Sequence, residues 1–366
     1  MKHLFAAILV ALVWFVPVDA FSCKDQHNKD VDWWFVYKTP KIKDGTIPGI
    51  VDGLAFYYLD SNQPAFSVSI NDLGSQNQAV AFTLQQYYAV QDDLSVFHAM
   101  YSDQEPSEPD SELEWLDEDI SANDTEELAS AKFGHTKGVT FFNKTDGLWL
   151  IHSVPKFPPV DEYEYPSSGQ IYGQSMLCIS MRYDQLDKIG TQLYFNRPNI
   201  YSALLPTSMA RDNPDMAKVM NNQYQKASPT SNVLDLISKR GTKFRSFAKT
   251  AKFGKDLYDR LVAPDLNTPL KVETWRRGSP VALECSAPNL VVDVLKVKIG
   301  TTPEFKHTRD HSKMAVSASK SRPYTCIGDI NRMESQFKRG GGTVCLNHPN
   351  VWGAYSQVVA ETNSCT

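Results

Sequence analysis

One repetition constrains this chain more than any other feature. The tripeptide His-x-Lys occurs as His135-Thr136-Lys137 and again as His311-Ser312-Lys313, and each copy opens an apolar run. Val139-Thr140-Phe141-Phe142 follows the first, and Met314-Ala315-Val316 follows the second. Short runs of this kind read as strands, on which residues i and i+2 share a face. Each His and Lys is therefore expected to project together from a strand. A proton carrier beside a fixed positive charge suits a phosphate, whose non-bridging oxygens need a cation while a bond to phosphorus is made or broken. The spacing extends the parallel. His152 closes another apolar run, Leu148-Trp149-Leu150-Ile151, fifteen residues after Lys137, and Asp329 lies sixteen after Lys313. Divergent duplication accounts for this, with His152 returning through a hairpin to the edge that carries the first pair.

The N-terminus reads as an address. Lys2 and His3 precede the apolar stretch Leu4 to Val16, and Val18-Asp19-Ala20 fits a small-residue cleavage site, so residues 1–20 form a secretory signal peptide. The apolar stretch is too short to span a bilayer, and nothing later approaches that length, so the mature protein is expected to be free of the membrane. The 346 residues from Phe21 onward suffice for two ordinary domains or one large one. A change of composition places a boundary near residue 200, giving halves of 21–200 and 201–366. All six cysteines (Cys23, Cys178, Cys285, Cys326, Cys345 and Cys365) follow the signal, which predicts three disulfides. Spacing leaves fifteen pairings open; Cys326 with Cys345 closes the shortest loop and is the first choice on local grounds. No Cys-x-x-Cys occurs, which argues against a zinc site. Asn123 and Asn143 head glycosylation sequons, in keeping with a secretory route.

The formal charge is −5, and removing residues 1–20 leaves it unchanged. Seven mature histidines bring it to about +2 when all are protonated below their usual pKa of about 6.5. A polyanion is thus tolerated in an acidic compartment. Between Asp103 and Glu127 lie twelve acidic side chains and no Lys or Arg; such a block reads as a solvated surface facing away from a phosphate backbone. Lys239 to Lys255 is the opposite: seven Lys or Arg, no acid, and Phe244, Phe247 and Phe253 interleaved. It reads as an amphipathic basic helix, able to contact phosphates or to turn its Phe side chains inward. Asp32 to Pro40 reads as the first strand, 184–199 as a helix, 211–226 as a polar surface insertion, and Lys338-Arg339-Gly340-Gly341-Gly342-Thr343 as a mobile basic loop that lacks the Gly-Lys-Ser/Thr order of a Walker A motif. His307 and His311 have Thr308 where a zinc protease carries Glu, and no Gly-x-Ser-x-Gly elbow is present.

Trp34-Phe35-Val36-Tyr37-Lys38, His135-Thr136-Lys137-Gly138, His152-Ser153-Val154-Pro155, Phe253-Gly254-Lys255-Asp256-Leu257-Tyr258, His311-Ser312-Lys313 and Arg339-Gly340-Gly341-Gly342-Thr343 occur in an order that resembles the deoxyribonuclease II family. The resemblance covers nearly all of the mature chain. That family is similar to the phospholipase D superfamily, which implies an α/β (α+β) fold: two phospholipase D-like lobes with mixed β-sheets flanked by helices, packed as a pseudo-dimer within one chain. The wider superfamily carries an Asp where this chain has Phe142 and Ala318, a departure that fits the nuclease branch. The resemblance implies disulfides Cys23–Cys178, Cys285–Cys365 and Cys326–Cys345, the last in agreement with the local argument. It further implies acid, metal-independent cleavage of DNA to 3′-phosphates in lysosomes or secretions, without a cofactor. In that reading one of His135 and His311 forms a phosphohistidine and the other protonates the leaving oxygen, Lys137 and Lys313 offset charge, and His152 and Asn331 support the site. A lipid phosphodiesterase or a non-catalytic secreted glycoprotein of the same fold are the alternatives, and further association of chains is left open.

Overall fold

The computed structural model describes residues 20–107 and 132–365. The signal segment up to Asp19, the sequon at Asn123 and most of the acidic block fall outside the described residues. Strands β1 (Cys23–Lys24) and β2 (Asp30–Val31) form a small ribbon. The first large sheet contains β3 (Trp33–Lys38), β4 (Phe56–Asp60), β5 (Ser67–Val68), β6 (Phe97–Tyr101), β7 (Gly138–Phe142), β8 (Asp146–His152), β9 (Gln174–Arg182) and β10 (Ile200–Leu204), in the order β10-β6-β7-β8-β9-β3-β4-β5. All of its pairings are antiparallel.

The second sheet contains β11 (Ser231–Ile237), β12 (Lys243–Lys249), β13 (Leu270–Glu273), β14 (Val291–Val297), β15 (Phe305–Lys306), β16 (Met314–Ser317), β17 (Tyr324–Gly328), β18 (Gly341–Asn347) and β19 (Val359–Thr362). Its order is β11-β12-β18-β17-β16-β13-β14-β15, with β19 also on β14, and only β13 and β14 run parallel. The fold is mixed α/β of the α+β kind.

Strand alternation explains why both sheets are buried on both faces. Trp33, Phe35 and Tyr37 of β3 enter one cluster, and Trp34 and Val36 enter another. The first cluster is shared between the sheets, because Met314, Val316, Ile327, Val344 and Leu346 join it from the second. The helix Leu186–Asn196 adds Leu186, Ile189 and Leu193 to this common layer. On the far side of the first sheet, Trp34 and Val36 pack with the helix Ala79–Tyr88, and on the far side of the second, Ala315 and Cys326 pack with Tyr258, Val262 and Leu266. Each buried aromatic or aliphatic side chain contributes roughly 1.5–3 kcal/mol.

Three disulfides are present: Cys23–Cys178, Cys285–Cys365 and Cys326–Cys345. Cys326 and Cys345 face each other in adjacent strands, which is why the shortest loop is the one closed. The bridges spanning 155 and 80 residues remove the most chain entropy from the unfolded state, on the order of 4–5 kcal/mol each.

Two segments differ from expectation. Lys239 to Lys255 is centred on strand β12 rather than a helix: Phe244 faces the shared core and Phe247 the opposite one. Residues 211–226 are no loose insertion, for the helices Thr207–Asp212 and Pro214–Met220 bury Met209, Met216 and Val219 against the shared core. Among the described residues no helix is long and apolar enough to cross a membrane.

Candidate active site

Both His-x-Lys tripeptides lie in the loop just before a strand, not on it: β7 begins at Gly138 and β16 at Met314. The ladders reach back as far as each lysine. His152 donates its N–H to the Lys137 carbonyl at 3.3 Å, and Gly328 donates to the Lys313 carbonyl at 2.9 Å. Both bonds span fifteen residues, so Gly328 occupies the place of His152 in the second half. The ladder stops there because each histidine turns its own N–H across to the other sheet. His135 donates to the Gly340 carbonyl at 2.9 Å, and His311 donates to the Gly173 carbonyl at 2.8 Å.

The receiving loops are built alike. Lys38, the last residue of β3, is buried and donates its ammonium to the carbonyls of Gln170 and Tyr172, the latter at 2.6 Å. Lys249, the last residue of β12, is buried and donates to the carbonyls of Gln336 at 3.0 Å, Phe337 at 3.3 Å and Arg339. In register, Lys38 pairs with the residue after Gly173, and Lys249 with the residue after Gly340. A side chain on Gly340 would collide with the Asn196 carbonyl, and one on Gly173 with the Asp310 carboxyl; close approach of backbone demands glycine at both. The expected mobile loop is therefore fixed, with Gly341 to Thr343 already in β18.

Around His135 the partners are charged. Asp103 forms ion pairs with Lys137 and, at 3.0 Å, with Arg339, and its carboxylate lies 3.6 Å from His135 Nε2. Burial alone would raise the Asp103 pKa, but Lys137, His135 and Arg339 outweigh it and hold the carboxyl well below the usual carboxylate range. Asp103 begins the acidic block, so that block does not face wholly away from the site. Burial and the Lys137 charge push His135 well below an ordinary imidazole, with Asp103 acting in the other direction.

Around His311 the partners are aromatic. Tyr172 stacks on the imidazole with centroids 4.1 Å apart and planes 5° from parallel, and Trp275 lies tilted at 4.7 Å. Burial, then the charges of Lys313, Lys137, Arg277 and Lys38, push His311 well below its ordinary value. Burial and the Lys137 charge bring Lys313 down to about 7. Lys313 also depresses His135, as Lys137 depresses His311, so each pair lies within electrostatic reach of the other. Among the described residues, Nδ1 of His135 and Nε2 of His311 are buried without a hydrogen-bond partner. Tyr37 donates to the Asp310 carboxylate, and Asp310 accepts from the Ser312 N–H at 2.9 Å, which sets the backbone on both sides of His311.

The supporting candidates separate. His152 is fully buried against Phe157, 5.2 Å between ring centroids, and burial pushes it down to about 3, so it stays neutral. Asn331 is buried after β17, its amide oxygen unpaired, with no hydrogen bond to either tripeptide among the described residues. Its neighbour Arg332 forms a buried forked contact to Asp293 at 3.0 and 3.1 Å. Asp329, beside it in sequence, is raised to about 7 by burial, although Thr136 and the Gly342 N–H bond to it. Asn143 is half-buried in the β7–β8 turn, its side-chain oxygen accepting from the N–H groups of Thr145 and Asp146 at 2.7 and 2.8 Å. Among the described residues no group of three His, Cys, Asp or Glu side chains is placed to hold a metal ion.

Sequence reasoning missed Asp103, Tyr172 and Trp275. The register contains the signal that would have found two of them. Tyr101 faces Gly138 and Glu273 faces Met314, so Asp103 and Trp275, each two residues further on, hold the same place in the two halves.

The class is thereby set: an α+β protein in which two like-built His-x-Lys loops are each fixed by the opposite sheet. Residues 22–365 match the family described as Deoxyribonuclease II, and the chain belongs to that family. It is 50% identical to Deoxyribonuclease-2 of Caenorhabditis elegans, over 98% of each chain. It is 36% identical to Cell death-related nuclease 6 of Caenorhabditis elegans, over 95% of this chain and 90% of that one. With Deoxyribonuclease-2-alpha of Mus musculus it shares 35% identity, over 100% of this chain and 99% of the relative.

Proposed function

We propose that the protein is an acid, metal-independent endodeoxyribonuclease that cleaves DNA to 3′-phosphate ends through a phosphohistidine, acting in lysosomes or after secretion. The observation that carries this reading is that each His-x-Lys pair lies within electrostatic reach of the other, together with the family. Residues 21–200 and 201–366 act as two phospholipase D-like lobes, a pseudo-dimer whose site lies between them.

The unequal surroundings of the two imidazoles support different roles for them. A nucleophile must be neutral and a general acid protonated, so the pair needs different tendencies to ionise. Lys137 depresses both, but at His135 the Asp103 carboxylate opposes it and favours the cation, whereas the charged groups acting most strongly on His311 are all cations. His311 is thus the nucleophile. Its ring nitrogen bonds to phosphorus as the bond to the 5′-oxygen breaks, and that oxygen takes the proton of the His135 imidazolium. Neutral His135 then removes a proton from water, the oxygen attacks phosphorus, and the nitrogen–phosphorus bond breaks. The phosphate remains on the 3′-oxygen throughout. Lys137 and Lys313 offset charge on the non-bridging oxygens.

Acidity enters twice. Burial holds His135 below its ordinary value, so its cation is populated only in acid, and Lys313, brought down to about 7, is fully charged only below that value. The test is plasmid cleavage by the purified glycoprotein at about pH 5 in EDTA, with analysis of the ends formed. Nicking with 3′-phosphate ends is expected; complete loss of cleavage under chelation would falsify the metal-independent mechanism.

A further inference from the structure

Beside the loop that carries His135 lies a cavity of about 330 Å3 that the proposed chemistry does not use. Gly134 and Gly340, the backbone that fixes His135, form part of its wall. Lys132, Arg197, Lys226, Lys252 and Lys338 also line it, and among the described residues no Asp or Glu does. None of these cations pairs with a carboxylate among the described residues. The contrast with the neighbouring basic strand is sharp, since Lys239, Lys243 and Arg245 there are all tied to Asp side chains.

Aromatic rings hold three of these cations, Lys132, Arg197 and Lys226, instead. The Arg197 guanidinium sits 4.0 Å from the Tyr224 ring centroid and 5.6 Å from that of Phe133. Lys226 lies 4.7 Å from the Tyr224 centroid, and Lys132 lies 5.3 Å from the Phe133 centroid. A ring face attracts a cation through its quadrupole, worth roughly 0.5–1 kcal/mol at an exposed site. Unlike a carboxylate, it leaves the charge uncancelled. Arg197 is further fixed by its left-handed backbone, φ 56°, and by its carbonyl, which accepts the Gly134 N–H at 2.8 Å. Its Nε is buried and lacks a hydrogen-bond partner among the described residues.

We propose that this cavity is a phosphate subsite for the DNA strand on one side of the scissile bond. Positioned, uncancelled cations are what a polyanion backbone requires, and each phosphate neutralised releases counterions. Successive phosphates of a strand rise about 3.4 Å apart, so a cavity sharing a wall with the His135 loop receives a phosphate within a few nucleotides of the one under attack. The inference rests on the nuclease reading above, and its test separates the two.

Lys226, Lys252 and Lys338 are exposed, so their replacement spares the core. The combined Lys226→Gln, Lys252→Gln, Lys338→Gln variant is placed on a His311→Ala background, where cleavage is blocked. Binding of a fluorescein-labelled oligothymidylate of about twelve residues is then read by anisotropy at several salt concentrations. The Kd is expected to rise about tenfold or more, and the slope of log Kd against log salt to fall by about 2, near 0.7 for each lysine. An unchanged Kd and slope overturn the subsite. With His311 intact, the same variant is expected to raise KM on single-stranded DNA while kcat stays within about twofold; a fall in kcat at constant KM overturns it too. Failure of the unaltered protein to cleave DNA would sink the nuclease reading, and the binding result would still judge the cavity.

Discussion

The two half-sites share a scaffold and differ in what fills it. In each, a His-x-Lys loop enters a strand paired antiparallel on both sides, β7 between β6 and β8 and β16 between β13 and β17, and a glycine leading into a strand of the opposite sheet receives the histidine N–H. At the equivalent position one half places Asp103 and the other Trp275. Two exchanges thus separate the imidazoles: Trp275 for Asp103, and Tyr172 for Arg339 in the residue before the receiving glycine. The lesson is that two like-built scaffolds differ in the side chains beside the histidine, where an altered residue changes ionisation without changing the fold.

The most drastic way to break this comparison is to remove either histidine. His311→Ala and His135→Ala are each expected to cut plasmid cleavage about a thousandfold or more. Bis(p-nitrophenyl) phosphate distinguishes them, because its leaving group departs without a proton. His135→Ala should regain the first step on this substrate, seen as a burst of p-nitrophenol, and His311→Ala none. The opposite pattern would reverse the roles, and equal losses on both substrates would remove the distinction.

Asp103→Asn should have a smaller effect, a loss of about ten- to a hundredfold in kcat. Its diagnostic is the pH profile. The carboxylate raises the His135 pKa, so removing it lowers that pKa, and the limb on which activity falls with rising pH should move toward acid by about one unit. Reduced activity with an unmoved limb would mean that Asp103 acts only by anchoring Lys137 and Arg339.

The smallest effect is expected on the aromatic side. Tyr172→Ala should lower kcat about tenfold by freeing the His311 ring, Tyr172→Phe should restore it, and neither should move the limb. A shift as large as that of Asp103→Asn would show that the aromatic wall tunes charge as well as position.

Local pattern made part of this legible from the sequence. The hairpin from Lys137 back to His152, the strand at Trp33 to Lys38 and the helix ending at Asn196 follow from periodicity within a few residues. Asp103 was hidden because an acidic run reads as solvated surface, while its neutralising partners Lys137 and Arg339 lie 34 and 236 residues away. Tyr172 was hidden similarly, since nothing local marks a tyrosine that stacks on His311. The basic stretch misled for a different reason. Phe244 and Phe247, three apart, suit a helix, yet a strand buried on both faces accepts the same spacing by sending one ring to each core. Four of its charges were already committed: Lys239, Lys243 and Arg245 to carboxylates, and Lys249 to the loop before Gly340.

The crossed hydrogen bonds have a consequence in time. The acceptor for the His135 N–H is Gly340, more than two hundred residues later in the chain. A ribosome makes the first tripeptide long before it makes the residue that orients it. The N-terminal portion of a growing chain therefore lacks a positioned His135, and a molecule cut short before Gly340 lacks it permanently. On the proposed mechanism, competence then arrives only once the chain has passed Gly340, which confines a potentially destructive activity to nearly finished molecules.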